Sequence, residues 1–125
     1  MKKKTLNKLV RDRIPNQIIQ NGKSFKARKS DSFAKDLADK IVEEAKEVQS
    51  AVAWLEHECN IGPCGYPEPA LESLAEEIAD LLEVGATLCK QYPTINTELI
   101  LKKVEEKRHK NGGFSDKILL EWVEE

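Results

Sequence analysis

Long apolar runs are missing from this chain, and no stretch approaches the ~18 consecutive apolar residues of a membrane helix. A membrane-spanning protein is therefore not expected. Met1-Lys2-Lys3-Lys4 has the charge of a signal n-region, but no apolar h-region follows, so no export signal is expected either. Cysteines number three, Cys59, Cys64 and Cys89, an odd count that does not suit a disulfide scaffold. Reduced thiols and a cytoplasmic location are the natural expectation. His57, Cys59 and Cys64 offer no Cys-x-x-Cys unit and no fourth ligand, which argues against structural zinc. Pro63-Cys64-Gly65 lacks the second cysteine of a zinc-deaminase signature. Aromatic residues make up only 6%, and Trp54, Tyr66 and Phe114 are better explained by core or loop packing than by stacking on a base. There is no internal repeat and no low-complexity tract.

What the chain has in quantity is charge, at 34%, beside 40% hydrophobic residues in clear helical periods. That combination describes a soluble globular chain rather than a disordered one. At 125 residues it is long enough for one domain, 1–125, with a real core, and hardly for two. The net charge of −2 conceals an asymmetry. Residues 1–30 carry ten Lys/Arg and a single acid, Asp12, leaving an acidic remainder. A basic arm on an acidic body suits a site that holds cations and an anionic ligand together. Lys2, Lys3 and Lys4 themselves read as a solvated terminus.

Helical periodicity and punctuation divide the chain. Residues 5–21 read as an interrupted helix, because Pro15 can open a helix but not sit inside one, and Asn21-Gly22 stops it. Residues 24–28 alternate as a short extended piece would. Ser30 or Asp31 can cap a helix over about 31–56. Gly and Pro mark 57–69 as a loop. A long helix covers about 70–91, Pro93 breaks it, and Thr94 can cap another over about 95–110 that ends at Asn111-Gly112-Gly113. Residues 114–125 are open between strand and helix, with 114–121 the stretch that could be extended. Amphipathic helices with short connections predict an all-α, antiparallel bundle of the four-helix type.

Two acidic clusters sit where apolar stripes should run: Glu43-Glu44-Ala45-Lys46-Glu47 and Glu76-Glu77-Ile78-Ala79-Asp80. On a wheel with Phe33 at zero, the stripe of Leu37, Ile41, Val48, Val52 and Leu55 spans roughly 40° to 100°. Glu44 falls at about 20°, within reach of it, and Glu47 at roughly 320°, just outside. On the later helix Glu77 lies inside a broad apolar arc that includes Leu71, Ile78 and Leu82, and Asp80 lies at its edge. A carboxylate facing a core is costly unless paired, hydrogen-bonded or bound to metal. Glu44 with Glu47, and Glu77 with Asp80, each stand three residues apart on one helix face. Four such carboxylates from two facing helices form a hard anionic pocket suited to Mg²⁺ or Mn²⁺. With no histidine in the set, a di-iron bundle is a poor match. The competing interpretation is a pair of solvated acidic faces.

Asn7-Lys8-Leu9-Val10-Arg11-Asp12-Arg13-Ile14-Pro15 resembles the opening of the MazG-like all-α NTP pyrophosphohydrolases, often labelled phosphoribosyl-ATP pyrophosphohydrolase-like. Glu43-Glu44-x-x-Glu47 followed by Glu77-x-x-Asp80 is similar to that superfamily's metal-binding signature, and Gly112-Gly113-Phe114 to the ending of its house-cleaning subgroup. The resemblance runs in order along nearly the whole chain. It implies a homodimer or tetramer and Mg²⁺-dependent cleavage of a nucleotide, canonical or not, to a monophosphate and pyrophosphate. The metal ligands it implies are Glu44, Glu47, Glu77 and Asp80.

Such chemistry needs a base for the attacking water, and Glu47 and Glu43 are both candidates. It also needs cations for the remaining phosphates. Lys8 and Arg11, three residues apart, and Lys107 and Arg108, near the glycine turn, are the candidates. Arg11 has a structural alternative, pairing with Asp12 or a bundle Glu and only tethering the first helix. A histidine-biosynthetic phosphoribosyl-ATP pyrophosphohydrolase is the nearest alternative function. A non-catalytic dimerisation module that binds nucleic acid through its basic arm is the more distant one, and the acidic body disfavours it.

Overall fold

Two long helices carry the architecture, and their ends follow from local chemistry. The computed structural model describes residues 2–58, 62–63 and 65–125. Among them run α1 (Ile14–Gln20), α2 (Phe33–His57), α3 (Glu68–Lys90) and α4 (Thr97–Asn111), with no strand. The chain is an all-α helical bundle, and no helix among the described residues is long and apolar enough to cross a membrane. Residues 24–28 and 114–121 join no sheet. Of the zinc candidates, Cys59 and Cys64 lie outside the described residues, and His57 is the last residue of α2. One compact unit is Met1–Gln91, with α1, α2 and α3; the other is Tyr92–Glu125, with α4.

The first helix is much shorter than its sequence pattern predicts. It begins at Ile14, with Pro15 in its first turn. A proline there satisfies the helix, but its ring conflicts with the carbonyl four residues back, so the helix cannot run on toward residue 5. Asn7 also has φ 46°, which no right-handed helix contains. The helix ends as expected at Asn21-Gly22. Gly22 takes φ 73°, its N–H donates to Ile19 O, and the Lys23 N–H donates to Ile18 O, a Schellman arrangement.

Other caps differ from expectation by a residue or two. The α2 N-cap is Ser32, not Ser30 or Asp31, and its side chain caps nothing. Ser30 bonds the Asp36 carboxylate instead, while Asp31 pairs with Arg28 at 3.1 Å. The α4 cap is Asn96 rather than Thr94; its Oδ1 accepts the Leu99 N–H at 2.8 Å. At the other end Gly112 turns the chain with φ 81°.

Helices α2 and α3 pack against each other. Tyr66 Oη donates to Glu56 at 2.9 Å beside the connecting loop, and Glu44 lies beside Glu77 and Asp80 further along, so the two helices run antiparallel. Leu37 and Leu55 on α2 and Ala70 on α3 are the buried apolar residues of this hairpin. One neighbour cannot cover the whole apolar arc of α3: Leu71 and Ile78 stay exposed and Leu82 is 68% exposed. Packing does not account for Phe114 either, which is 98% exposed, nor fully for Trp54, which is exposed on α2.

Leu55→Ala should destabilise the chain by about 2–4 kcal/mol in urea unfolding, since it opens a cavity between α2 and α3. Val42→Ala, on the opposite face of α2 and exposed, should cost less than about 0.5 kcal/mol.

A candidate metal centre and its cationic arm

The antiparallel hairpin sets the middle of α2 against the middle of α3, and the acidic clusters meet there. One carboxylate oxygen from each of Glu44, Glu77 and Asp80 lies within 4.8 Å of the others. Glu44 is only 9% exposed, the one buried charged residue among those described, and Glu77 and Asp80 are half-buried. Glu47 is exposed and stands outside this trio, on the side where the wheel puts it. Its charge still reaches Glu77.

Lys40 faces Glu44 and Arg11 faces Asp80, so the uncompensated negative charge of the trio sits on Glu77. Desolvation first, and then the charges of Asp80, Glu47, Glu44 and Glu76, raise the Glu77 carboxyl above its ordinary value. Three hard oxygen donors, one of them drawn into the core, fit Mg²⁺ or Mn²⁺ and would leave further positions for water or phosphate. Glu44, Glu77 and Asp80 are the residues that would hold the ion.

Three cations pair with acids in and beside the cluster. Lys40 Nζ lies 3.1 Å from Glu43 Oε1 and 3.3 Å from Glu44 Oε1, and its own side chain is largely buried. Sequence reasoning missed Lys40, although its spacing of three and four residues from these glutamates was a usable signal. Lys8 Nζ donates to the same Glu43 oxygen at 3.1 Å. Burial acts to raise the Glu43 carboxyl, but the hydrogen bonds from Lys8 and Lys40 outweigh it and hold the group below its ordinary value. Arg11 Nη2 donates to Asp80 Oδ1 at 2.6 Å. The arm thus crosses from α2 to α3. Lys8 and Arg11 reach it from non-helical backbone, not from the shared helix face their spacing suggests. The left-handed Asn7 and the turn closed by Ile14 N–H to Arg11 O, 3.0 Å, shape that approach.

Lys107 and Arg108 lie exposed on the last turns of α4, within the second unit. Basic residues there complement the helix dipole whatever else they do. No protein-family model, curated relative or solved structure compared with the chain matches it.

The raised Glu77 carboxyl has a consequence for stability. The folded chain holds this proton more tightly than the unfolded one. Stability is therefore lost as pH rises from the ordinary value near 4.5 through the raised folded value, and the penalty persists at neutral pH. Glu77→Gln should melt above wild type at pH 7 without divalent ions, and the gap should close once the pH falls below 4.5. Mg²⁺ should raise the wild-type Tm and leave the variant nearly unmoved.

Proposed function

We propose that the chain is a MazG-like, Mg²⁺-dependent nucleoside triphosphate pyrophosphohydrolase. The observation that carries this reading is the convergence of Glu44, Glu77 and Asp80 from two packed helices, with Glu44 drawn into the core. When bound, Mg²⁺ supplies charge neutralisation to the phosphates and a lowered pKa for an attacking water. Glu47 suits the role of base better than Glu43. Glu43 is held by Lys8 and Lys40 and made more acidic, whereas Glu47 is exposed beside the trio and has no ion-pair partner among the described residues. Water attack at phosphorus then releases a monophosphate and pyrophosphate. Arg11 and Lys8 are the groups proposed to bind phosphate oxygens, Arg11 through its two-pronged guanidinium.

A homodimer or tetramer belongs to the same reading. Exposed Leu71, Ile78 and Leu82 on α3 support it. The nucleic-acid alternative loses ground on one observation: Lys8 and Arg11, two cations of the basic arm, are engaged with Glu43 and Asp80.

A panel of canonical, damaged and phosphoribosyl nucleotides, assayed for pyrophosphate with and without Mg²⁺, tests the activity and separates the histidine-biosynthetic alternative. Activity should require Mg²⁺. Glu44→Gln and Asp80→Asn should each lower turnover by at least about a hundredfold while the helices remain folded by circular dichroism, as loss of a catalytic metal ligand does. Wild-type turnover in either variant would remove the metal assignment. Sedimentation at micromolar concentration should give a mass above that of the monomer.

A further inference from the structure

We propose that the arm is a cation-displaced latch, in which Arg11 occupies Asp80 until a divalent ion takes that carboxylate and frees the guanidinium. This inference rests on the reading of Glu44, Glu77 and Asp80 as a cation site.

The contact between Arg11 and Asp80 spans 69 positions of sequence and ties the arm to α3. Asp80 is also one of the three carboxylates that converge, so a guanidinium already neutralises part of the cluster. A divalent ion on the trio would stand beside that guanidinium, and the two would repel at close range. The pair is poorly placed to resist. Its side chains are 60% and 40% exposed, and exposed ion pairs carry little net free energy. The other arm contact differs. Lys8 is bound to Glu43, which lies outside the trio, and Glu43 is held in place by Lys40 as well. An incoming ion therefore releases Arg11 while Lys8 keeps the arm on α2. The freed guanidinium remains close to the cluster, ready for an anionic ligand that arrives with the metal. Loading of the cation and readiness for phosphate become one event.

The competing arrangement is a bridging carboxylate, with Arg11 on one Asp80 oxygen and the ion on the other. Linkage distinguishes them, because two ligands that exclude each other weaken each other equally. Binding of Mn²⁺ to the full chain, followed by the electron-spin-resonance signal of free Mn²⁺, is the measurement. Arg11→Gln should bind Mn²⁺ about three- to fivefold tighter than wild type, the range a partly exposed ion pair allows. Lys8→Gln should stay closer to wild type, and Glu44→Gln should lose binding. Tryptic cleavage after Arg11, mapped by mass spectrometry, should accelerate with Mn²⁺ in wild type and not in Glu44→Gln. Unchanged or weaker Mn²⁺ binding in Arg11→Gln overturns the latch and leaves the cation site intact. Equal tightening in Lys8→Gln and Arg11→Gln also overturns it, since the effect is then general charge and not release of Asp80. Absence of Mn²⁺ binding in wild type and Arg11→Gln alike removes the cation site and the latch with it.

Discussion

Mutual repulsion among carboxylates brought together by the α2–α3 hairpin is the constraint on which the site depends. Leu37, Leu55 and Ala70 bury apolar surface and fix how the two helices meet. That packing carries Glu44 into a nearly dry position opposite Glu77 and Asp80. A fold built for stability alone gains nothing from such a meeting. Desolvated like charges oppose folding, as the raised Glu77 carboxyl records. The arrangement fits the proposed function, in which a cation would use it.

Compensation in the chain itself is partial and divided. Lys40, largely buried, serves Glu43 and Glu44 from within α2. Lys8 adds to Glu43 from the arm, and Arg11 serves Asp80. Glu77 has no cationic partner among the described residues, and it is the carboxyl whose acidity is weakened. The deficit of positive charge is therefore focused on one residue of the trio. The arm contributes differently from Lys40, because its backbone is non-helical and its ion pairs are partly exposed, so its contacts can exchange.

Much of this was legible in the sequence, and the reasons differ by element. The bounds of α2 and α3 lie within two residues of the periodic pattern, since long amphipathic segments bounded by Gly and Pro leave little freedom. The burial of Glu44 and the outlying position of Glu47 both follow from 100° per residue. The arm was not legible, because a periodic-looking stretch before Pro15 says nothing of a left-handed Asn7. Its partners are tertiary: no local rule pairs Arg11 with a residue 69 positions away. Lys40 was legible by spacing, yet it is easily passed over beside a row of glutamates. The exposure of Phe114 and Leu82 could not be read from a wheel, which reports a face and not what covers it.

The central claim is that Glu44, Glu77 and Asp80 form one cation site. Anomalous diffraction from crystals grown with Mn²⁺ tests it most directly. The account predicts an anomalous peak between α2 and α3, bonded to one oxygen from each of the three carboxylates at about 2.0–2.3 Å, as expected for a small hard cation with oxygen ligands. A map with no peak there, at Mn²⁺ concentrations that saturate binding in solution, would contradict it.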